Sequence, residues 1–200
     1  MTTSPSEHGT PPGSARDEPL RDLAVVGAGP AGLAAAVTAA GLGLDVTLLD
    51  AGERPGGQYY RHPAPGLRAA RPQALHHHWH VFARLERRLR AHTATGRLRH
   101  LPGHHVWTVL PEHPTETPQP APAPAPAPVW RLHAVADEGT GAGGESPVTV
   151  RARTVLLATG AYERQLPFPG WTLPGVVGAG GAQAMLKSGL VLPGRRTVVA

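Results

Sequence analysis

The fold is decided by residues 23–50, which read LAVVGAGPAGLAAAVTAAGLGLDVTLLD. The apolar run Leu23–Val26 is typical of a buried parallel strand, and it ends at a glycine. A helix is predicted over 31–40, because Pro30 fits the first helical position and a glycine closes the alanine-rich run. A second apolar run, at 44–49, predicts another strand. The stretch therefore forms one βαβ unit of about 30 residues.

The six residues 27–32, GAGPAG, match the pattern G-x-G-x-x-G between a predicted strand and a predicted helix. In this pattern Gly27 permits a tight turn, Gly29 lets a pyrophosphate approach the backbone, and Gly32 lets helix and strand pack closely. The helix N-terminus adds free N–H donors and a positive dipole end. The pattern favours a dinucleotide site, with a glycine turn that binds nothing as the alternative.

Two features that follow the glycine turn support the same site. Asp50 lies 21 residues after Gly29, at the end of the second strand, where a carboxylate accepts hydrogen bonds from ribose hydroxyls. It would repel a 2′-phosphate, so NADP is disfavoured, although Arg54 lies nearby. The glycine pair before Gln58 can pass close to a flat ring and leave the amide to hydrogen-bond it; the alternative is an ordinary surface turn.

Downstream of this unit, helix and strand patterns alternate. Apolar residues at helical spacing predict an amphipathic helix over about 74–91. Further strands are predicted at 97–101, 106–110, 129–135, 148–152 and 155–158. The first and last of these five are expected in a parallel sheet, and the middle three form a β-meander. The fold class is therefore α/β.

Proline and glycine mark the segments outside the core. Twelve of the 23 prolines lie in 1–20 and 111–128. We expect 1–20 to be a disordered tail, 111–128 to be a protruding Pro-rich loop, and 139–147 to be a flexible glycine-rich tip. The dinucleotide-binding domain is then expected to cover 21–165.

Several classes of function are excluded or disfavoured by composition. The absence of cysteine excludes a disulfide framework, a thiolate zinc site, an iron–sulfur cluster and a redox dithiol within these residues. His76 and His80 stand one helical turn apart, but no carboxylate completes a shell, so we predict no metal site. No Ser-His-Asp order, paired carboxylates or P-loop indicates a catalytic side chain, and we name none.

Residues 23–44 carry no charge and are long enough to cross a bilayer, but glycines and one proline interrupt them. We predict no membrane span. The first 20 residues are polar and proline-rich, so they indicate neither a secretory signal nor an anchor, and we expect a cytoplasmic protein.

The charge is unevenly distributed. The chain has a net charge of +5, and its 19 basic residues are 18 arginines and Lys187. Residues 61–99 carry nine arginines against Glu86 alone, a local charge of +8. Too few aromatic platforms accompany them for single-stranded nucleic acid, so we predict no nucleic-acid partner. A solvated face and a docking face for an acidic partner subunit both remain open.

Three runs together resemble flavoproteins of the glutathione-reductase-like class with two dinucleotide domains: VGAGPAGL at 26–33, RPGGQ at 54–58 and LLATGAY at 156–162. More narrowly, GAYER at 160–164 and the proline-rich runs after it are similar to the larger (alpha) subunit of amine and amino-acid dehydrogenases. That group includes proline and hydroxyproline dehydrogenases, opine oxidases and the hydrogen cyanide synthase flavoprotein subunit. The resemblance covers about 22–60 and 95–200, without the Pro-rich loop.

The resemblance implies a Rossmann-like FAD/NAD(P)-binding domain. Residues 166–200 would then connect to, and begin, a second dinucleotide-binding domain, before which we expect the chain to be truncated. FAD is the expected cofactor, with NAD or another adenine nucleotide as the alternative. The residues expected to bind it are Gly27, Gly29, Pro30, Ala31, Gly32, Asp50, Gly57, Gln58, Val106, Ala158, Thr159 and Gly160.

The same resemblance implies an FAD-dependent oxidoreductase that works with a partner subunit in a hetero-oligomer and passes electrons from a small amine or amino acid through flavin. Because flavin performs the redox step, a missing catalytic side chain does not contradict this function. Disulfide reductases need a cysteine pair and are set aside for this stretch. The alternatives are a nucleotide-holding structural subunit whose partner performs the chemistry and, more weakly, an interaction module built on the Pro-rich loop and the basic helix.

Overall fold

The computed structural model describes residues 19–112, 127–136 and 146–199. Its elements are β1 (Arg21–Val26), α1 (Pro30–Gly41), β2 (Val46–Leu49), α2 (Trp79–Ala94), β3 (Leu98–Leu101), β4 (His104–Glu112), β5 (Val129–Ala136), β6 (Ser146–Leu157) and α3 (Ala179–Gly189). Short 3-10 turns lie at Pro65–Leu67 and Pro72–Leu75. The expectations for 1–18, 113–126 and 137–145 lie outside the described residues.

The strands form a six-stranded sheet in the order β3-β2-β1-β6-β5-β4. The pairs β3–β2, β2–β1 and β1–β6 are parallel, whereas the pairs β6–β5 and β5–β4 are antiparallel. The sequence-based prediction of an α/β fold with a parallel sheet and a β-meander is therefore confirmed.

Both faces of the central strands are buried, which explains their continuous apolar runs. On one face, Val25 and Leu48 pack with Leu33 and Val37 of α1 and Phe82 of α2. On the other face, alternate residues of β1, β2 and β3 pack against residues of the meander strands. This second core contains Ala24, Val26, Leu49, Leu101, Leu132, Ala134, Val150 and Ala152.

The last strand differs from the prediction of two separate strands at 148–152 and 155–158. Strand β6 is continuous because it has two partners: it pairs with β5 up to Ala152 and with β1 from there to Leu157. The apolar run at 155–158 is typical of a buried strand, but the C-terminal end of β6 is exposed, with Leu156 at 38% and Leu157 at 67%.

The basic helix begins later than the predicted residue 74. His78 adopts a left-handed conformation (φ 54°), which separates the 3-10 turn before it from α2. The apolar spacing is nevertheless correct, because Phe82 and Leu89 are buried and Trp79 and Leu85 pack against the same core.

Two residues that the sequence places in the Pro-rich loop belong to a strand. Pro111 and Glu112 belong to β4, where Pro111 pairs with Trp130. Proline is tolerated there because β4 lies at the edge of the sheet. Among the described residues, no helix has the length and apolarity needed to cross a membrane.

The meander is tied together by one carboxylate. Glu112 accepts hydrogen bonds from Arg131 on β5 (2.9 Å) and Arg151 on β6 (3.0 Å). The bond from Arg151, supported by that from Arg131, lowers the pKa of Glu112 despite partial burial. The three side chains are partly exposed, so their contribution to stability is modest.

We expect Glu112→Gln to lower the free energy of unfolding by about 1 kcal/mol at pH 7. A lowered pKa stabilises the fold above the ordinary glutamate pKa, and this stabilisation is lost as the pH falls from about 4.3 through the lower folded value. The deficit of the variant should therefore shrink in urea titrations at acidic pH. Glu86→Gln, which removes an exposed pair with Arg90, is the matched control; an equal deficit in both variants would contradict the assigned role.

Candidate functional site

The glycine turn after β1 packs directly on the chain where it leaves β6. Gly27 has a φ of +103° and donates its N–H to the Leu49 carbonyl (2.7 Å). A Cβ on Gly27 would lie 2.8 Å from the carbonyl carbon of Ala158, so no side chain fits. Ala158 in turn donates its N–H to the carbonyl of Val26 (2.8 Å).

Helix α1 begins immediately against this turn. A Cβ on Gly32 would overlap the Gly27 carbonyl oxygen and lie 3.1 Å from the Cβ of Ala158. Only a glycine at this position lets the first turn of the helix approach the end of β1 so closely. The predicted packing roles of Gly27 and Gly32 therefore have a direct geometric basis.

Gly29 has a different environment, since a Cβ added there would meet nothing within 4 Å. It is the N-cap of α1, where no side chain caps the helix and no acidic residue lies in the first turn. Pro30 and Ala31 follow it at the exposed start of the helix. The first N–H groups of a helix lack partners within it, so the open helix N-terminus beside Gly29 has the chemistry to bind an anion.

The loop after β2 docks on the glycine turn through two glycines. Gly56 donates its N–H to the Ala28 carbonyl (2.7 Å). Gly57 lies so close that its Cβ would sit 2.9 Å from the Cα of Gly29. The sequence analysis predicted that the glycine pair lies near a flat ring. It did not predict that Gly56 docks the loop on the glycine turn, because only the tertiary contact shows this role.

Asp50 links the two loops. Its carboxylate accepts hydrogen bonds from the N–H of Ala28 and from the N–H of Gly52 (2.6 Å). A carboxylate has about four acceptor positions, so these two bonds leave capacity for ribose hydroxyls. The backbone carbonyl of Asp50 also accepts from the N–H of His104 (2.8 Å), which fixes the start of β4.

The remaining predicted residues lie in two places. Gln58 donates from its amide Nε2 to the Ala161 carbonyl (3.2 Å), which joins the loop after β2 to the chain leaving β6. Thr159 and Gly160 are exposed in that same segment. Val106 lies in β4, pairs with Ala134 and packs against the second core.

An open cleft of about 380 Å³ runs between these loops and α3. It brings together the predicted Asp50, Gly57 and Gln58. Its other lining residues are Gly52, Glu53, Arg54, Arg61, His62, Pro63, Ala64, Pro65 and Ser188. Burial lowers the pKa of His62 and the charge of Arg54 lowers it further, so this imidazole is neutral at pH 7.

The cleft residues Arg61, His62 and Ser188 were missed as site residues. The sequence placed Arg61 in a diffuse basic segment. Nothing in the local pattern around Ser188 indicated that α3 packs on the loop after Gln58. The contact is made by the Ala64 N–H and the Ser188 carbonyl, 2.9 Å apart across more than 120 residues of chain.

Residues 25–91 match the family model of the NAD(P)-binding Rossmann-like domain. The chain has a Rossmann-like fold. Among solved structures, L-proline dehydrogenase from P. horikoshii has a similar fold, with a TM-score of 0.54 and 19% identity over 88% of this chain and 30% of that chain. The Rossmann-like domain therefore contains the glycine turn, Asp50 and the docked glycine pair.

Curated relatives extend beyond this chain. One subunit of the opine oxidase of Agrobacterium tumefaciens (strain Ach5) is 35% identical over 172 residues, 86% of this chain and 30% of the relative. Hydrogen cyanide synthase subunit HcnB of Pseudomonas aeruginosa is 35% identical over 186 residues, 88% of this chain and 32% of the relative. The chain thus spans about a third of the length of these relatives, and the expected resemblance to this group is confirmed.

Gly32→Ala provides a direct test of the Rossmann-like packing. Alanine is ordinarily the better helix former, but here its Cβ would overlap the Gly27 carbonyl, so we expect a loss of about 3 kcal/mol or more in urea unfolding. Gly181→Ala is the matched control, because it also lies in a helix but has open space around it. Equal stability of the two variants would show that the turn is not packed as described.

Proposed function

We propose that the protein is an FAD-dependent oxidoreductase subunit that passes electrons from a small amine or amino acid through flavin. One observation carries the proposal. The open N-terminus of α1 at Gly29 lies against the docked Gly57, and Gly57 lines the cleft together with Asp50, whose carboxylate holds the N–H of Ala28. In a bound dinucleotide the diphosphate would lie at the helix N-terminus and the adenosine ribose at Asp50. The half that carries the flavin would lie beside Gly57.

The residues present fit such a cofactor. A Cβ at Gly29 would occupy the open space beside the helix N-terminus where a diphosphate fits, and the first turn of α1, with Pro30 and Ala31, contains no carboxylate that would repel it. Gly27 and Gly32 keep the turn in place. Asp50 would accept hydrogen bonds from the ribose while it continues to hold the Ala28 N–H.

The flavin end is proposed from Gly57 and Gln58. Gly57 is exposed beside Gly29, and Gln58 is held toward the segment that contains Ala158, Thr159 and Gly160. We propose that these residues flank the ring system, and that Val106 contacts adenine through its backbone. When bound, the flavin accepts two electrons from an amine or amino acid, while the protein residues bind and orient it.

Gly57 and Gln58 favour FAD over NAD as the cofactor. Both cofactors would use the same glycine turn and the same acidic residue, whereas the glycine pair and Gln58 belong to the motifs by which the sequence resembles flavoproteins. The name of one relative, an opine oxidase, also supports redox chemistry.

A partner subunit is part of the proposal. Both relatives are named as subunits. We further propose that 21–165 form the FAD-binding domain and that 166–200 lead into a second nucleotide-binding domain. The apolar residues of the latter segment, such as Phe168 and Trp171, are exposed in the described part of the chain. Cytoplasmic location stays a prediction from the sequence.

Gly29→Ala separates ligand binding from folding. The backbone of Gly29 (φ −64°, ψ 179°) suits any residue, so stability should change by less than about 1 kcal/mol. Its Cβ would displace the diphosphate from the helix N-terminus, so we expect FAD affinity to fall about tenfold or more. Fluorescence titration of the stripped protein with FAD measures this. Unchanged affinity, with Gly181→Ala as control, would place the cofactor elsewhere.

The activity itself is tested by anaerobic spectroscopy of the full-length protein with its partner. We expect an amine or amino acid to bleach the visible flavin bands and dithionite to bleach them fully. A bound nucleotide that neither treatment reduces would instead support the alternative function, in which this chain holds a nucleotide and the partner performs the redox chemistry.

A further inference from the structure

Lys187 is a buried cation with few partners. It is the only lysine of the chain, and it lies near the C-terminal end of α3 with 7% of its surface exposed. Its ammonium donates a hydrogen bond to the Tyr59 carbonyl and lies 5.1 Å from the centre of the Tyr59 ring. An ammonium has three donors, so this arrangement leaves two of them for another acceptor.

The groups around Lys187 are basic. Burial lowers the pKa of Lys187, and the charge of Arg61 lowers it further. His76 shares the Tyr59 carbonyl through its Nδ1 (3.1 Å), and burial followed by the charge of Lys187 lowers the pKa of this histidine. Its Nε2 is buried without a hydrogen-bond partner. The positive charge of the cluster therefore comes from Lys187 and Arg61, since burial keeps His76 and His62 neutral at pH 7.

Within the described part of the chain, no carboxylate forms an ion pair with Lys187, Arg61 or His62. The ion pairs found there use Asp22, Asp45, Glu86 and Glu112. Asp50 and Glu53 also line the cleft, and neither forms an ion pair with these residues; Asp50 instead accepts from the N–H groups of Ala28 and Gly52. A buried charge is costly unless it is paired, so the cluster favours an anion supplied from outside.

The cluster adjoins the cleft. Arg61 and His62 line it, and so does Ser188, which directly follows Lys187. The Ala64 N–H bonded to the Ser188 carbonyl closes this end of the cleft (2.9 Å). Gly57 and Gln58 line the same cleft. An anion at the cluster would therefore lie close to the place proposed for the flavin.

We propose that Lys187, Arg61 and His62 form an oxyanion-binding subsite at the α3 end of the cleft. The ammonium and the guanidinium would donate charge-assisted hydrogen bonds to the anion. The carboxylate of an amino acid and a phosphate of the dinucleotide share this chemistry. The assignment to a substrate carboxylate rests on the proposed function, since it would hold an amino acid beside the flavin.

A single lysine makes the subsite directly measurable. Acetic anhydride acetylates neutral amines, so the acetylated fraction at Lys187, read from peptide masses, reports both access to the ammonium and its protonation. We expect the full-length protein to be acetylated at Lys187 between pH 7 and 10. Acetate and L-proline should reduce this acetylation, because a bound anion shields the ammonium and stabilises its unreactive charged form.

The source of the anion is distinguished by stripping the nucleotide. The anion is a cofactor phosphate if three results are found together. Lys187 resists acetylation before the nucleotide is stripped, it is acetylated after stripping, and inorganic phosphate then protects it again. If acetate and L-proline protect it while the nucleotide stays bound, the anion is a substrate carboxylate. Either outcome supports the subsite. Lys187 that is never acetylated, or is acetylated equally with and without every anion, overturns it.

Arg61→Met should weaken the protection by acetate or phosphate about tenfold, because one charge-assisted partner is lost. It should also shift the acetylation of Lys187 to higher pH, since the charge that lowers its pKa is gone. Arg90→Met removes an exposed arginine of α2 and should change neither value. The visible spectrum of each sample separates the two claims: protection without flavin would reject the proposed function and keep the subsite.

Discussion

The structure depends on the contact between backbone atoms of three segments: the end of β1, the first turn of α1 and the exit from β6. A Cβ on Gly27 would collide with the backbone of Ala158, and a Cβ on Gly32 would collide with the Gly27 carbonyl. This packing fixes the direction of α1 relative to the sheet, and with it the position of the helix N-terminus. The open space at Gly29 follows from it, because the glycines on either side absorb the close contacts.

The cleft is assembled by residues that each hold two segments together. Asp50 joins the end of β2 to the glycine turn, Gly56 hydrogen-bonds the following loop to Ala28, and Gln58 reaches the chain beyond β6. Lys187 then fastens α3 to the carbonyl of Tyr59. The residues that could contact a dinucleotide are thus also the ones that hold the walls of the cleft in place. We therefore expect cofactor binding and the order of these loops to be coupled.

The βαβ unit, the acidic residue after β2 and the meander could be predicted because local patterns encode them: an apolar run, glycine spacing and alternating strands. The continuity of β6 could not, since Arg153 and Thr154 are exposed and interrupt the apolar pattern that was used to locate strands. The start of α2 depends on the left-handed His78, which apolar spacing does not record. The cluster of Lys187 with Tyr59 joins residues 128 positions apart, and only the tertiary fold brings them together.

The most direct test of this account is the mass of the nucleotide released when the full-length protein, purified under mild conditions, is denatured. The account predicts FAD, accompanied by flavin bands in the visible spectrum before denaturation. An adenine nucleotide without flavin would keep the glycine turn as a binding site but reject the proposed oxidoreductase function. Release of no adenine nucleotide at all would contradict the central claim that this surface binds a dinucleotide.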